Sequence, residues 1–140
     1  ADEKDFCLTY GDGLADVDVQ RVIDKHFENK KIGTVLAVNP PGRFGALTLH
    51  NENVIDFSEK PVSDNKFING GFFVFNQRIF DYLNDDTTIL EQEPLQKLAA
   101  ENELQAFKHH GFWQPMDTLR DKNYLEKLWS KNTAPWKTWV

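Results

Sequence analysis

Two aspartates are the first candidates for chemistry. Asp12 stands in "YGDG", directly after the apolar run "DFCLTY", and Asp117 stands in "GFWQPMDTLRD", where a helix-like run begins. An aspartate that follows a strand and sits between two glycines emerges at the strand's C-terminal end, the edge where open α/β sheets bind ligands. Magnesium commonly takes one or two protein carboxylates and leaves its other positions to water and phosphate oxygens. Two aspartates brought together by the fold could therefore share one ion. Each also has a plainer reading, Asp12 as the stabiliser of a tight turn and Asp117 or Thr118 as a helix cap. Spacing along the chain leaves that choice open.

Other groups are equally double-edged. In "SEKP", Lys60 would act as a point charge against a phosphate and Glu59 would accept hydrogen bonds from sugar hydroxyls, or the two are a solvated surface pair. In "PPGRFG", Arg43 reads as a surface cation, while Gly45 would let a ligand approach the backbone. His109 and His110 are adjacent, so in a strand they point to opposite faces and make a poor metal pair. With one cysteine and no spaced ligand set, neither a zinc site nor a Cys–His hydrolase is expected.

These groups need elements to position them. "DFCLTY", "GTVLAVN", "KFINGGFFVFN" and "LQAFKHH" read as strands, and "GALTLH" and "VIDFSE" as a hairpin turning at "NEN". Val19, Val22, Ile23, His26 and Phe27 recur at helical spacing from Asp18 to about Lys30, with Asp16 or Asp18 as N-cap. A short helix fits "QRIFDYLN", a second runs from about Leu90 to Asn102, and a last one from Thr118 to Lys131. Strands alternating with helices predict an α/β layered sheet, partly parallel, with one inserted antiparallel hairpin. The glycine pair inside "INGG" marks a close approach by backbone or ligand.

The chain has 140 residues, is 40% hydrophobic and carries eleven Phe, four Trp and three Tyr, enough for a real core. Its net charge of −6 with interspersed signs argues against a nucleic-acid-binding surface. No apolar run approaches the roughly 18 residues of a membrane span. The lone Cys7, in an apolar run, reads as a buried thiol in a reducing cytosol.

Taken in order, "YGDG", "PPGRFGAL", "EKP", "INGGFFVFN", "EQEPL", "GFWQPMDTLRD" and the ending "APWKTW" make the whole chain resemble the sugar-1-phosphate nucleotidyltransferases. "GFWQPMDT" and "PWKTW" are specific to the cytidylyl branch, whereas "EKP" is shared across the family. The resemblance implies a Rossmann-like nucleotide-diphospho-sugar transferase fold with a mixed, mostly parallel sheet. It implies transfer of CMP from CTP to glucose 1-phosphate in the cytoplasm, with Mg2+ held by Asp12 and Asp117. Gly11 would lie against the nucleotide, Lys60 would neutralise the sugar phosphate, and Glu59 would take a sugar hydroxyl. Gly45, Asn69 and Gly70 would line the sugar pocket. Because no G-x-G-T-R loop is present, residues 1–140 are expected to form the C-terminal, sugar-phosphate- and metal-binding portion, inactive by itself. A non-catalytic sugar-phosphate-binding or assembly domain of the same shape is the alternative. The apolar strand "DFCLTY", left without its neighbour, and the aromatic tail predict a homo-oligomer.

Overall fold

The computed structural model describes residues 4–39, 46–50, 52–58 and 67–139, with the side chains of 46–50 and 55–58 left aside. Its main sheet has six strands in the order β1 (Asp5–Thr9), β6 (Ile68–Asn76), β3 (Gly33–Val38), β7 (Leu104–His109), β5 (Asn53–Ser58) and β4 (Ala46–His50). Beside it lies a short antiparallel ribbon of β2 (Gly13–Ala15) and β8 (Trp113–Pro115).

All six residues of β3 are buried, as expected for a strand covered on both faces. Val35 and Ala37 point into one apolar cluster with Phe73, Phe75, Leu95, Leu98 and Leu104. Leu36 and Val38 point into another with Val22, Ile68 and Val74. The first cluster is closed by the 3-10 turn Gln77–Tyr82 and helix α2 (Glu93–Ala100), and the second by helix α1 (Val19–Asn29). Helix α1 begins where Asp18 accepts a hydrogen bond from Gln20 N–H and ends at Lys30 in left-handed geometry. Pro94 sits in the first turn of α2, where its missing N–H costs nothing. Helix α3 (Leu119–Ser130) follows the ribbon.

The α/β layering and the inserted β4–β5 hairpin agree with the sequence reading. Pairing direction differs from the expected parallel majority: among the described residues only β3–β7 is a parallel pair. Two insertions account for it, the β4–β5 hairpin and one further strand. β1 and β3 run the same way but are separated by β6, which is antiparallel to both. Cys7 also departs from expectation, being exposed. It lies on β1, an edge strand, beside an apolar groove lined by Leu8, Val17, Val19, Val22 and Phe72, so the burial that an apolar run suggests is missing on that side.

Candidate active site

The ribbon is what brings the two ends of the chain together. Gly13 pairs with Pro115, Leu14 with Gln114 and Ala15 with Trp113. The ladder is extended at one end by Met116 N–H donating to the Asp12 carbonyl at 2.6 Å, and at the other by Asp16 N–H donating to the Phe112 carbonyl at 3.2 Å. Asp12 and Asp117 therefore leave the same end of the ribbon. Each strand has three residues, and Pro115, which has no N–H to give, is tolerated because the ribbon is all edge.

Asp117 is not the cap of the helix that follows it. Thr118 is: its hydroxyl accepts from Asp121 N–H at 3.1 Å. The Asp121 carboxylate reaches back to the N–H groups of Asp117 and Thr118 at 3.1 and 3.2 Å, completing a capping box. The helix start is thus satisfied without the Asp117 side chain, which lies close enough to Asp12 to feel its charge. Partial loss of water, then the charges of Asp12 and Asp121, push the Asp117 carboxyl above the ordinary carboxylate range. Two like charges held at one rim suit a cation. Among the described residues no group of three or more His, Cys, Asp or Glu is placed to hold a metal ion, so an ion here would keep most positions for water or phosphate.

The aromatics before Asp117 fix the ribbon to the sheet. Trp113 Nε1–H donates to the Gly70 carbonyl at 2.9 Å, tying "GFWQP" to "INGG". The Phe112 ring meets Trp136 of the tail at 5.8 Å between centroids. At the ribbon's far end His109 Nε2 lies 3.1 Å from the Phe112 carbonyl and 2.9 Å from Asp16 Oδ1. One N–H cannot serve both acceptors fully. The alignment favours the carbonyl and leaves Asp16 Oδ1 buried with a close but poorly aimed partner. His110 instead packs edge-on against Phe67, so the two histidines do diverge.

On β6, a Cβ on Gly70 would come within 3.0 Å of the Leu36 carbonyl oxygen, so close strand packing explains the missing side chain. Gly71 has φ +79°, and a Cβ there would lie 2.7 Å from the Tyr10 ring. Asn69 Oδ1 accepts from Gly71 N–H at 2.8 Å, and its Nδ2 donates to the Tyr10 hydroxyl at 2.8 Å. Tyr10 in turn donates to Glu91 Oε1 at 2.6 Å. Gly11 is exposed, with open space where a side chain would be. Gly45, Glu59 and Lys60 lie outside the described residues, as does Arg43.

The structure therefore gathers Asp12, Asp117, Asn69 and Gly70 around the β2–β8 ribbon and the adjoining part of β6. Tyr10, Glu91 and the indole of Trp113 join them without having been singled out by residue type. Tyr10 and Glu91 do stand inside "YGDG" and "EQEPL", but nothing local marks either as a contact.

Residues 1–126 match the nucleotidyl transferase family. Over 138 residues the chain is 56% identical to the glucose-1-phosphate cytidylyltransferases of Salmonella typhimurium and Salmonella typhi, covering 99% of this chain and 54% of each of theirs. It thus spans about half the length of these curated relatives. The crystal structure of HddC from Yersinia pseudotuberculosis superposes with a TM-score of 0.73 at 18% identity, over 88% of this chain and 54% of that one, which is a likeness of fold. With the family matched across nine-tenths of its length and the same architecture in solved structures, the chain belongs to the nucleotidyl transferase family.

Proposed function

We propose that this chain supplies the sugar-phosphate and metal side of a glucose-1-phosphate cytidylyltransferase. The observation that supports this reading is the pair of carboxylates, Asp12 and Asp117, at one end of the ribbon with no cationic partner among the described residues, in a chain 56% identical to enzymes of that name. In the reaction a phosphate oxygen of glucose 1-phosphate attacks the α-phosphorus of CTP. A new P–O bond forms, the bond to the β-phosphate breaks, and CDP-glucose and pyrophosphate result. Such a transfer asks little covalent help of the protein and much alignment and charge neutralisation.

The residues divide that work. Asp12 and Asp117 would hold Mg2+, whose role when bound is to neutralise phosphate charge. Lys60 would sit against the phosphate of the sugar, and Glu59 would accept from a sugar hydroxyl. Asn69, with Gly45 and Gly70 beside it, would line the sugar pocket, while Gly11 would let the nucleotide come close to the backbone. The substrates fit a cytoplasmic protein, and the edge of β1, which pairs only with β6 among the described residues, fits a homo-oligomer.

Pyrophosphate release from CTP, glucose 1-phosphate and magnesium, measured on the complete polypeptide and on residues 1–140 separately, tests the reading. Turnover is expected only from the former. Lys60→Ala in the complete polypeptide should weaken glucose 1-phosphate use by about 2–3 kcal/mol and spare CTP affinity. A variant that loses CTP and keeps the sugar phosphate would reverse the assigned roles. Sugar-phosphate binding without any turnover would favour a non-catalytic binding domain.

A further inference from the structure

We infer that Tyr10 and Glu91 are positioning residues for sugar selection, acting through Asn69; this rests on the function proposed above. Three segments distant in sequence meet at one hydroxyl. Glu91 precedes α2, Asn69 is on β6, and Tyr10 directly follows β1. The Glu91 carboxylate can only accept, so the Tyr10 O–H donates to it at 2.6 Å. The Tyr10 oxygen is then an acceptor, and it takes an N–H from Asn69 Nδ2 at 2.8 Å. Asn69 Oδ1 takes Gly71 N–H at 2.8 Å, which is the remaining half of the same amide.

These three bonds leave the amide one orientation. An asparagine is free to present either its oxygen or its nitrogen to a ligand, and flipping this one would set N–H against N–H at Gly71. Held as it is, Asn69 has a second N–H beyond the one given to Tyr10, and offers it as a donor. The group it selects is an acceptor oxygen, such as a sugar hydroxyl with its proton directed elsewhere. Tyr10 is itself pinned, since its N–H donates to the Gly71 carbonyl at 2.8 Å and its ring lies over the bare Cα of Gly71. Asp12 is only two residues further on, so one anchor serves both the sugar-side amide and the metal-side carboxylate.

The test is steady-state kinetics of the complete polypeptide with each substrate varied. Tyr10→Phe and Glu91→Ala should raise the KM for glucose 1-phosphate about tenfold and the KM for CTP much less. Glu91→Gln, which keeps an acceptor oxygen, should restore most of the loss. In the double variant Tyr10→Phe with Asn69→Ala, the KM should match that of Asn69→Ala alone, because Tyr10 would have nothing left to orient. Tyr82→Phe breaks a like Tyr–Glu bond elsewhere, with Glu101, and should change neither KM. Equal rises in both KM values with a matching drop in melting temperature, or additive effects in the double variant, would reduce Tyr10 to a packing residue and overturn the inference. A wild-type polypeptide that releases no pyrophosphate would instead overturn the underlying function.

Discussion

Beneath helix α1, His26 Nε2 lies 3.0 Å from Asp5 Oδ1 and its Nδ1 lies 2.8 Å from the Thr34 hydroxyl. At the end of the β2–β8 ribbon, Asp117 lies close enough to Asp12 to feel its charge, and neither has a histidine, a hydroxyl or a basic partner among the described residues. The first set has the residue types of a catalytic triad, and the second has only two acids. Their surroundings reverse the ranking. Thr34 is fully buried and its oxygen already accepts from Gln105 Nε2 at 3.0 Å, so its one proton goes to His26 Nδ1. His26 Nε2–H is then the donor to Asp5. Asn29 completes the set, its Nδ2 donating to the side-chain oxygen Oε1 of Gln105 at 2.7 Å. Each donor has an acceptor and no substrate can reach the hydroxyl. A saturated polar cluster holds a fold together, while an unsatisfied pair of like charges at an open rim is prepared for something to bind.

The largest effect expected from this contrast is at the rim. Asp117→Asn and Asp12→Asn in the complete polypeptide should each cut pyrophosphate release about a thousandfold, equivalent to about 4 kcal/mol of transition-state stabilisation. Stability should move the other way for Asp117→Asn. The folded protein holds the Asp117 proton to a higher pH than the unfolded chain does, so the native state loses stability as pH rises through that raised value. At neutral pH the asparagine variant should therefore melt slightly higher than wild type, and below the carboxylate range the two should coincide. A variant that melts lower at pH 7 would mean that Asp117 is a structural group after all.

The buried set should respond in the opposite sense. His26→Ala removes a side chain that is 2% exposed and strands Thr34 and Asp5, so a loss of about 3 kcal/mol in urea denaturation is expected. Turnover per folded molecule should be retained. If His26→Ala abolished turnover while leaving stability alone, the triad-like alignment would be the site and the comparison would collapse.

Sequence alone carried a good part of this contrast. Asp18, the apolar spacing of α1 and the unbroken run of β3 specify those elements locally, because capping and period are local properties. The hairpin at "NEN" is legible for the same reason. β2 and β8 are not, since three residues give no period and one of them is Pro115. Asp12 and Asp117 could be named as candidates, but their meeting depends on that ribbon. Choosing Thr118 over Asp117 as the cap required seeing Asp121 reach back. Cys7 is exposed although its run is apolar, because an apolar run does not reveal which of its faces the fold covers. His26 sat in the helical stripe, where nothing announced Thr34 or Asp5 as its partners.

A third polar pair sharpens the comparison from its weak end. The Tyr82 hydroxyl donates to Glu101, and the Lys97 ammonium lies 5.5 Å from the ring centroid. The pair is neither sealed like His26 nor frustrated like Asp117. The bond to Glu101, then burial, then the charges of Glu101 and Glu103 push the Tyr82 phenol up to about 12 from 10.0. Because the folded value is the higher one, the stability that the bond contributes is whole below about pH 10 and is lost as pH rises through about 12. Solvent reaches the pair, so the contribution should stay under about 1 kcal/mol. Denaturation of residues 1–140 in urea from pH 9 to 12 measures it, with Tyr82→Phe as the reference. The gap between the two proteins should be constant at first and narrow across the upper part of that range. A gap that widens with pH, or one approaching the loss from His26→Ala, would show that exposure does not separate the two kinds of polar cluster in this protein.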